Sequence, residues 1–143
     1  MSGRDKAEFV RNFLELLVTG KDYDKWGPML TEDTERLTPF APPGFPKITK
    51  GRDECVKSTS EIFKSIKEFR WIDLDLHATD EPDVVYGTSK SYVELIDGRY
   101  YENEYVFIVK FENGLIKENW EYLSPFPIME CFAKELAGGN WNG

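Results

Sequence analysis

"GRYYENEYVFIVKFENGLIKENWEYLSP", residues 98–125, alternates with a period of two, turns once at Asn113-Gly114, and alternates again until Pro125. Side chains of a strand point to opposite faces in turn. The first arm therefore puts Tyr101, Asn103, Tyr105, Phe107 and Val109 on one face, and the second arm carries Glu121 between Trp120 and Tyr122. Asn-Gly between two such arms is a strong hairpin signal. Working outward, Asp97-Gly98 is a second turn of the same kind, preceded by the strand "DVVYGTSKSYVELI". Before it, "FRWIDLDLHATD" sets Ile72, Leu74 and Leu76 against Asp73, Asp75 and His77, as in a half-buried strand.

Upstream the period changes to that of a helix. Ala7, Val10, Phe13, Leu14 and Leu17 share a face over roughly residues 4–19, with Gly20 as a stop. A short second helix ends at Gly27-Pro28. Residues 31–50 hold Pro39, Pro42, Pro43 and Pro46, which predicts a short extended piece and then an irregular loop. Cys55, Thr59, Ile62, Phe63 and Ile66 mark a long helix from Gly51 to about Lys67, and "PIMECFAKELAGG" a short C-terminal helix stopped by Gly138-Gly139. Helices first and hairpin strands afterwards predict a single α+β domain over residues 1–143, without repeat or linker. The expected shape is a conical barrel: a curved, mainly antiparallel sheet with about three helices closing a pocket, plus the short C-terminal helix. Such a pocket is a natural place for a small molecule.

Composition narrows the partners. With 143 residues, 41% hydrophobic and 31% charged, the chain can bury one core. A net charge of −8 without a basic stripe argues against nucleic acid and against anionic membranes. No apolar run approaches a membrane span, and "MSGRDKAEF" lacks a signal core. A cytoplasmic protein with reduced Cys55 and Cys131 is the expectation. The cysteines have no metal-ligand spacing, and neither a nucleophile elbow nor a glycine-rich phosphate loop is present.

Several residues carry alternative readings. Glu121 is either a surface charge beside Lys117 and Asn119 or a carboxyl held at a pocket wall, where burial would let it give and take a proton. Asn103, an amide on an apolar face, is either a structural bridge or a polar group of the pocket. Asp73, Asp75 and His77 have ligand-like residue types, but strand neighbours two apart lie too far from one another to converge, so no metal is expected. His77 alone is a second acid/base candidate if a bulge re-aims the strand end. Trp26, Met29, Phe40, Phe45, Phe63 and Trp71 suit either cavity lining or core.

The segment 98–126 resembles the phenazine-biosynthesis A/B proteins. The resemblance lies in Tyr101, Asn103, Tyr105, Glu112-Asn113-Gly114, Ile116-Lys117, Glu121-Tyr122 and Pro125. It extends upstream to Phe69-x-Trp71, "ATDEPDVVYG" and Gly51-Arg52-Asp53, and is good from about residue 51 to 126. It implies the wider superfamily of nuclear transport factor two, ketosteroid isomerase, limonene epoxide hydrolase and SnoaL-like polyketide cyclases. It further implies a homodimer through the outer sheet face and chemistry inside the cone, with Glu121 at the position of the acid/base glutamate. Those proteins also use a histidine on the long helix. This chain has none there, so the resemblance implies the pocket rather than the phenazine reaction.

The expected function is a cofactor-free isomerase, cyclase, dehydratase or condensing enzyme of secondary metabolism. Glu121 would move protons on an apolar or aromatic substrate, with Asn103 and Tyr101 or Tyr105 orienting it and Trp71, Phe63, Trp26 and Phe40 lining the site. The alternatives are a binding or dimerisation module, which would leave Glu121 in solvent, and an epoxide hydrolase, which would place a second carboxylate and an arginine around one water.

Overall fold

The computed structural model describes residues 1–137. Its centre is the hairpin pair: β4 (Val84–Leu95), β5 (Tyr100–Glu112) and β6 (Leu115–Leu123) run antiparallel in turn. Asn113 and Gly114 both take positive φ, 52° and 80°, as the tight turn between β5 and β6 requires. β3 (Ile66–Ala78) pairs antiparallel with β4 on one side. On the other, β1 (Leu30–Leu37) lies parallel to β6, and β2 (Ile48–Lys50) pairs antiparallel with β1. The six-stranded sheet has the order β2-β1-β6-β5-β4-β3.

The helices cover one face. α1 (Gly3–Leu17) opens with a capping box between Ser2 and Asp5 and buries Ala7, Val10, Phe13, Leu14 and Leu17, the five residues the periodicity selects. It is pinned to β3 by Trp71 Nε1 donating to Leu14 O at 2.8 Å and Arg11 Nη1 donating to Leu74 O at 3.2 Å. α2 (Tyr23–Trp26) runs into a 3₁₀ turn at Gly27–Met29 and drives Trp26 into the core against Phe13. Phe13, Trp26, Phe107, Val109 and Ile116 are fully buried there, each side chain contributing about 1.5–3 kcal/mol of apolar burial. α3 (Arg52–Phe63) crosses the end of the sheet near β1 and β2.

The architecture is therefore α+β with a curved, mainly antiparallel sheet, as expected, and four details differ. The prolines do not prevent β1 from running for eight residues; they are confined to the loop after it. α3 stops at Phe63, because Ser65 O accepts from Ile96 N at 3.0 Å and the next segment joins the sheet. β3 changes phase: Asp73 has φ 56° at a register shift between Ile72 and Asp75. Ile72 consequently faces outward, while Phe69, Trp71, Leu74 and Leu76 pack inward. The C-terminal segment forms two short helices, α4 (Pro125–Cys131) and α5 (Ala133–Ala137), in place of one; Gly138-Gly139 lie outside the described residues. Among those residues no helix is long and apolar enough to cross a membrane.

Candidate active site

Where α1 leaves the concave face uncovered, the sheet, α3 and the loop between β1 and β2 enclose a cavity of about 170 Å³. Its aromatic wall is continuous. Phe63 of α3 meets Phe69 (6.1 Å between ring centroids), which meets Trp71 (4.8 Å), which meets Tyr105 (5.0 Å). Tyr101 lies beside Tyr105 in the inward phase of β5, and Phe45 and Pro46 of the loop form the roof. Burial raises the phenol pKa of Tyr101 and of Tyr105, so both are neutral donors. The polar groups at the wall are few: Arg36, Thr49, Ser58, Thr59 and Glu121 among them.

Glu121 faces this cavity. Trp120 and Tyr122, its neighbours in β6, point to the outer side and stack on each other at 6.2 Å. Burial pushes the Glu121 carboxyl above the usual carboxylate range; the positive charge of Arg36 and a hydrogen bond from Asn119 Nδ2 to Oε1 (3.2 Å) partly oppose that rise. The side chain is only half-buried to solvent because the cavity reaches it. A carboxyl that is desolvated, accessible to a ligand and eased in both directions can hold or release a proton.

Arg36 is the residue that sequence reasoning missed. In β1 it shares the inward phase with buried Thr34, whose hydroxyl donates to Ile116 O at 3.0 Å. Its Nη2 donates to Thr59 Oγ1 at 2.9 Å, and it makes no ion pair with a described carboxylate. A guanidinium has five N–H donors, of which the contact with Thr59 uses one, and Arg36 lines the cavity. The signal was the spacing Thr34-x-Arg36-x-Thr38, which places a charge in the inward phase once the segment is known to be a strand. Behind Thr59, one helical turn earlier, Cys55 is buried and its thiol is pushed up by that burial, so it is an uncharged filler.

The structure brings together Glu121, Tyr101, Tyr105, Trp71 and Phe63, and places four expected residues elsewhere. Asn103 is buried but clamps backbone: its Nδ2 donates to Ser124 O (2.9 Å), and its Oδ1 accepts from Glu104 N (2.8 Å) and Ser124 N (3.2 Å). The amide that touches Glu121 is that of Asn119. His77 is exposed on the outer face, bonded to Asp75 at 2.9 Å and stacked on Tyr86, because the bulge at Asp73 leaves it pointing away from the cone. Asp73 stands apart, and among the described residues no cluster of three metal-ligating side chains forms. Trp26 is core, held by Phe13 and Tyr23. Phe40 folds over the rim onto Tyr122 (5.4 Å) on the outer side and is 57% exposed.

Comparison with known proteins bears on the fold and the family. Phenazine biosynthesis protein PhzB1 of Pseudomonas aeruginosa is 25% identical over 107 residues, 72% of this chain and 60% of that protein; the chain thus spans about 60% of the length of the curated relatives it matches. The crystal structure of the phenazine biosynthesis-related protein PhzB2 of Pseudomonas aeruginosa superposes with a TM-score of 0.75 at 18% identity, covering 92% of this chain and 89% of that one. An NTF2-like protein of Burkholderia xenovorans superposes with a TM-score of 0.76 at 14% identity, covering 92% and 97%. The fold is accordingly that of the NTF2-like cone. The family profile of phenazine biosynthesis protein A/B matches residues 4–137, and the chain belongs to that family.

Proposed function

We propose that this protein is an acid/base enzyme of secondary metabolism, an isomerase, cyclase, dehydratase or condensing enzyme, with Glu121 as its proton carrier. The observation that carries the reading is the desolvated Glu121 carboxyl at the wall of an aromatic cavity, with Arg36 as the nearby cation. Arg36, braced by Thr59, would hold an anionic or strongly polar group of the substrate, while Trp71, Tyr105 and Phe63 pack its apolar part. A dry cavity near 150 Å³ accommodates benzene, so about 170 Å³ suits a molecule built on a single substituted ring. Tyr101 and Tyr105, neutral at working pH, would donate to an oxygen that gains negative charge. Such proton transfers need no cofactor.

Glu121 is the acidic side chain at this wall among the described residues, which favours proton transfer over the carboxylate pair that epoxide hydrolysis uses. The reading includes a cytoplasmic homodimer formed through the outer sheet face. Ile72, Tyr86 and Val106 are exposed there, 37–43% each, and a second sheet would cover them. The test is deuterium exchange at carbon: incubation with aryl ketones and aromatic β-keto acids in heavy water, followed by proton NMR. Exchange that the wild type catalyses and Glu121→Gln loses by a hundredfold or more, on the order of a lost general acid/base, supports the assignment. Exchange unchanged in Glu121→Gln refutes it.

A further inference from the structure

Asn119 lies in β6 two residues before Glu121, on the same inward face, and is 3% exposed. Its Nδ2 donates to Glu121 Oε1 at 3.2 Å, while its Oδ1 is buried and has no hydrogen-bond partner. The two ends of a carboxamide are nearly the same size and shape, and one donates where the other accepts. A half turn of the Asn119 amide would present Oδ1 to Glu121 and leave Nδ2 where Oδ1 now stands. In the present orientation the far end of the amide, Oδ1, meets no donor. The bond to Glu121 is the side-chain hydrogen bond that holds the amide as it stands.

From this geometry we propose that Asn119 is a positioning residue that serves both protonation states of Glu121. It offers N–H to the carboxylate and, turned over, C=O to the O–H of the carboxylic acid. A fixed donor would favour only the charged form. An amide free to turn keeps the carboxyl hydrogen-bonded and in place before and after it transfers its proton. The other groups facing Glu121 are Arg36 from β1, Cys55 from α3 and Tyr105 from β5. Arg36 favours the carboxylate, whereas the buried thiol and phenol are neutral; beside these three, Asn119 is the residue that hydrogen-bonds the carboxyl. The proposal rests on the proton-carrier reading of Glu121 and supplies that carrier with its support.

The test is an NMR titration of the full chain, following the Glu121 carboxyl carbon and the Asn119 side-chain amide together. The expected result is a single shared midpoint, loss of the pH dependence of the Asn119 amide in Glu121→Gln, and a Glu121 midpoint that moves by less than about half a pH unit in Asn119→Leu, because the amide supports both protonation states. Asn119→Ala provides the same comparison if the leucine variant does not fold. An Asn119 amide that stays flat through the Glu121 transition, or a Glu121 midpoint raised by about one pH unit or more in the folded variant, as loss of a fixed donor would do, overturns the proposal. The titration reads the coupling whether or not Glu121 turns substrate over. Failure here is thus distinct from failure of the exchange experiment with Glu121→Gln.

Discussion

Arg36 and Asn119 are register partners across the parallel pairing of β1 with β6. The cation and the amide that both ease the charge on Glu121 therefore come from adjoining strands and reach it from two directions. A charge centre assembled in this way depends on strand register, which the backbone ladder holds more firmly than any loop could.

Glu121 should make stability pH-dependent in a defined sense. Its pKa is raised on folding, so the native state binds the proton more tightly than the unfolded chain. The cost of burying the charge is then full above the folded midpoint and fades as pH falls through it toward the unfolded value. Glu121→Gln, which carries no charge, should be more stable than wild type at pH 8 and lose that advantage on acidification. Each pH unit between the folded and unfolded midpoints is worth about 1.4 kcal/mol. Urea denaturation at a series of pH values measures it; a difference that does not change with pH contradicts the burial of the charge.

Arg36→Met keeps most of the side-chain volume and removes the charge. Benzoate should bind the wild type with quenching of Trp71 fluorescence, and the variant about tenfold or more weakly, the scale of one lost charge-assisted bond. Benzyl alcohol should hardly distinguish the two proteins. Equal benzoate affinity would show that the guanidinium does not meet the ligand.

Asn103→Ala should cost about 2–4 kcal/mol, since it strands two backbone N–H groups and a carbonyl around Ser124. Chemical denaturation reads the loss. The Glu121 midpoint should stay where it is, because the amide does not touch that carboxyl. A shifted midpoint with unchanged stability would reverse the assignment of Asn103 as a clamp.

Arg99 should matter locally rather than globally. Its guanidinium grips Asp97 (2.8 Å), Glu135 (2.6 Å) and the Cys131 carbonyl (3.2 Å), tying α4 and α5 to the turn between β4 and β5. The ions of the cluster are screened by solvent, so it contributes little to the stability of the whole fold. In Arg99→Ala, amide hydrogen exchange of residues 130–137 should accelerate while that of β5 is unaffected. Unaltered exchange in that segment would mean the helices are held by packing alone.

The fold was legible where pattern and turn chemistry agreed. The face of α1 and the turn at Asn113-Gly114 needed no tertiary information, because local period and positive-φ residues specify them. Glu121 was legible as a candidate, but its environment was not, since Arg36 and Asn119 meet it only through strand pairing. Arg36 was hidden because β1 has irregular burial, and the proline-rich loop after it obscures the alternation. Asn103 misled for a physical reason: a buried amide must be satisfied, and backbone at Ser124 satisfies it as well as a catalytic partner would. Phe40 and Trp26 show that an aromatic ring alone says nothing about which side of a wall it occupies.

The extra residue at Asp73 has a consequence for reading relatives of this chain. Before it, odd-numbered positions of β3 face the cone; beyond it, even-numbered ones do. One strand thereby supplies an aromatic edge to the cavity and an aliphatic edge to α1. A column-by-column alignment with a bulge-free homologue would match inward residues to outward ones over half of β3. Divergence at Leu74 and Leu76 would then be an error of parity rather than a change of chemistry.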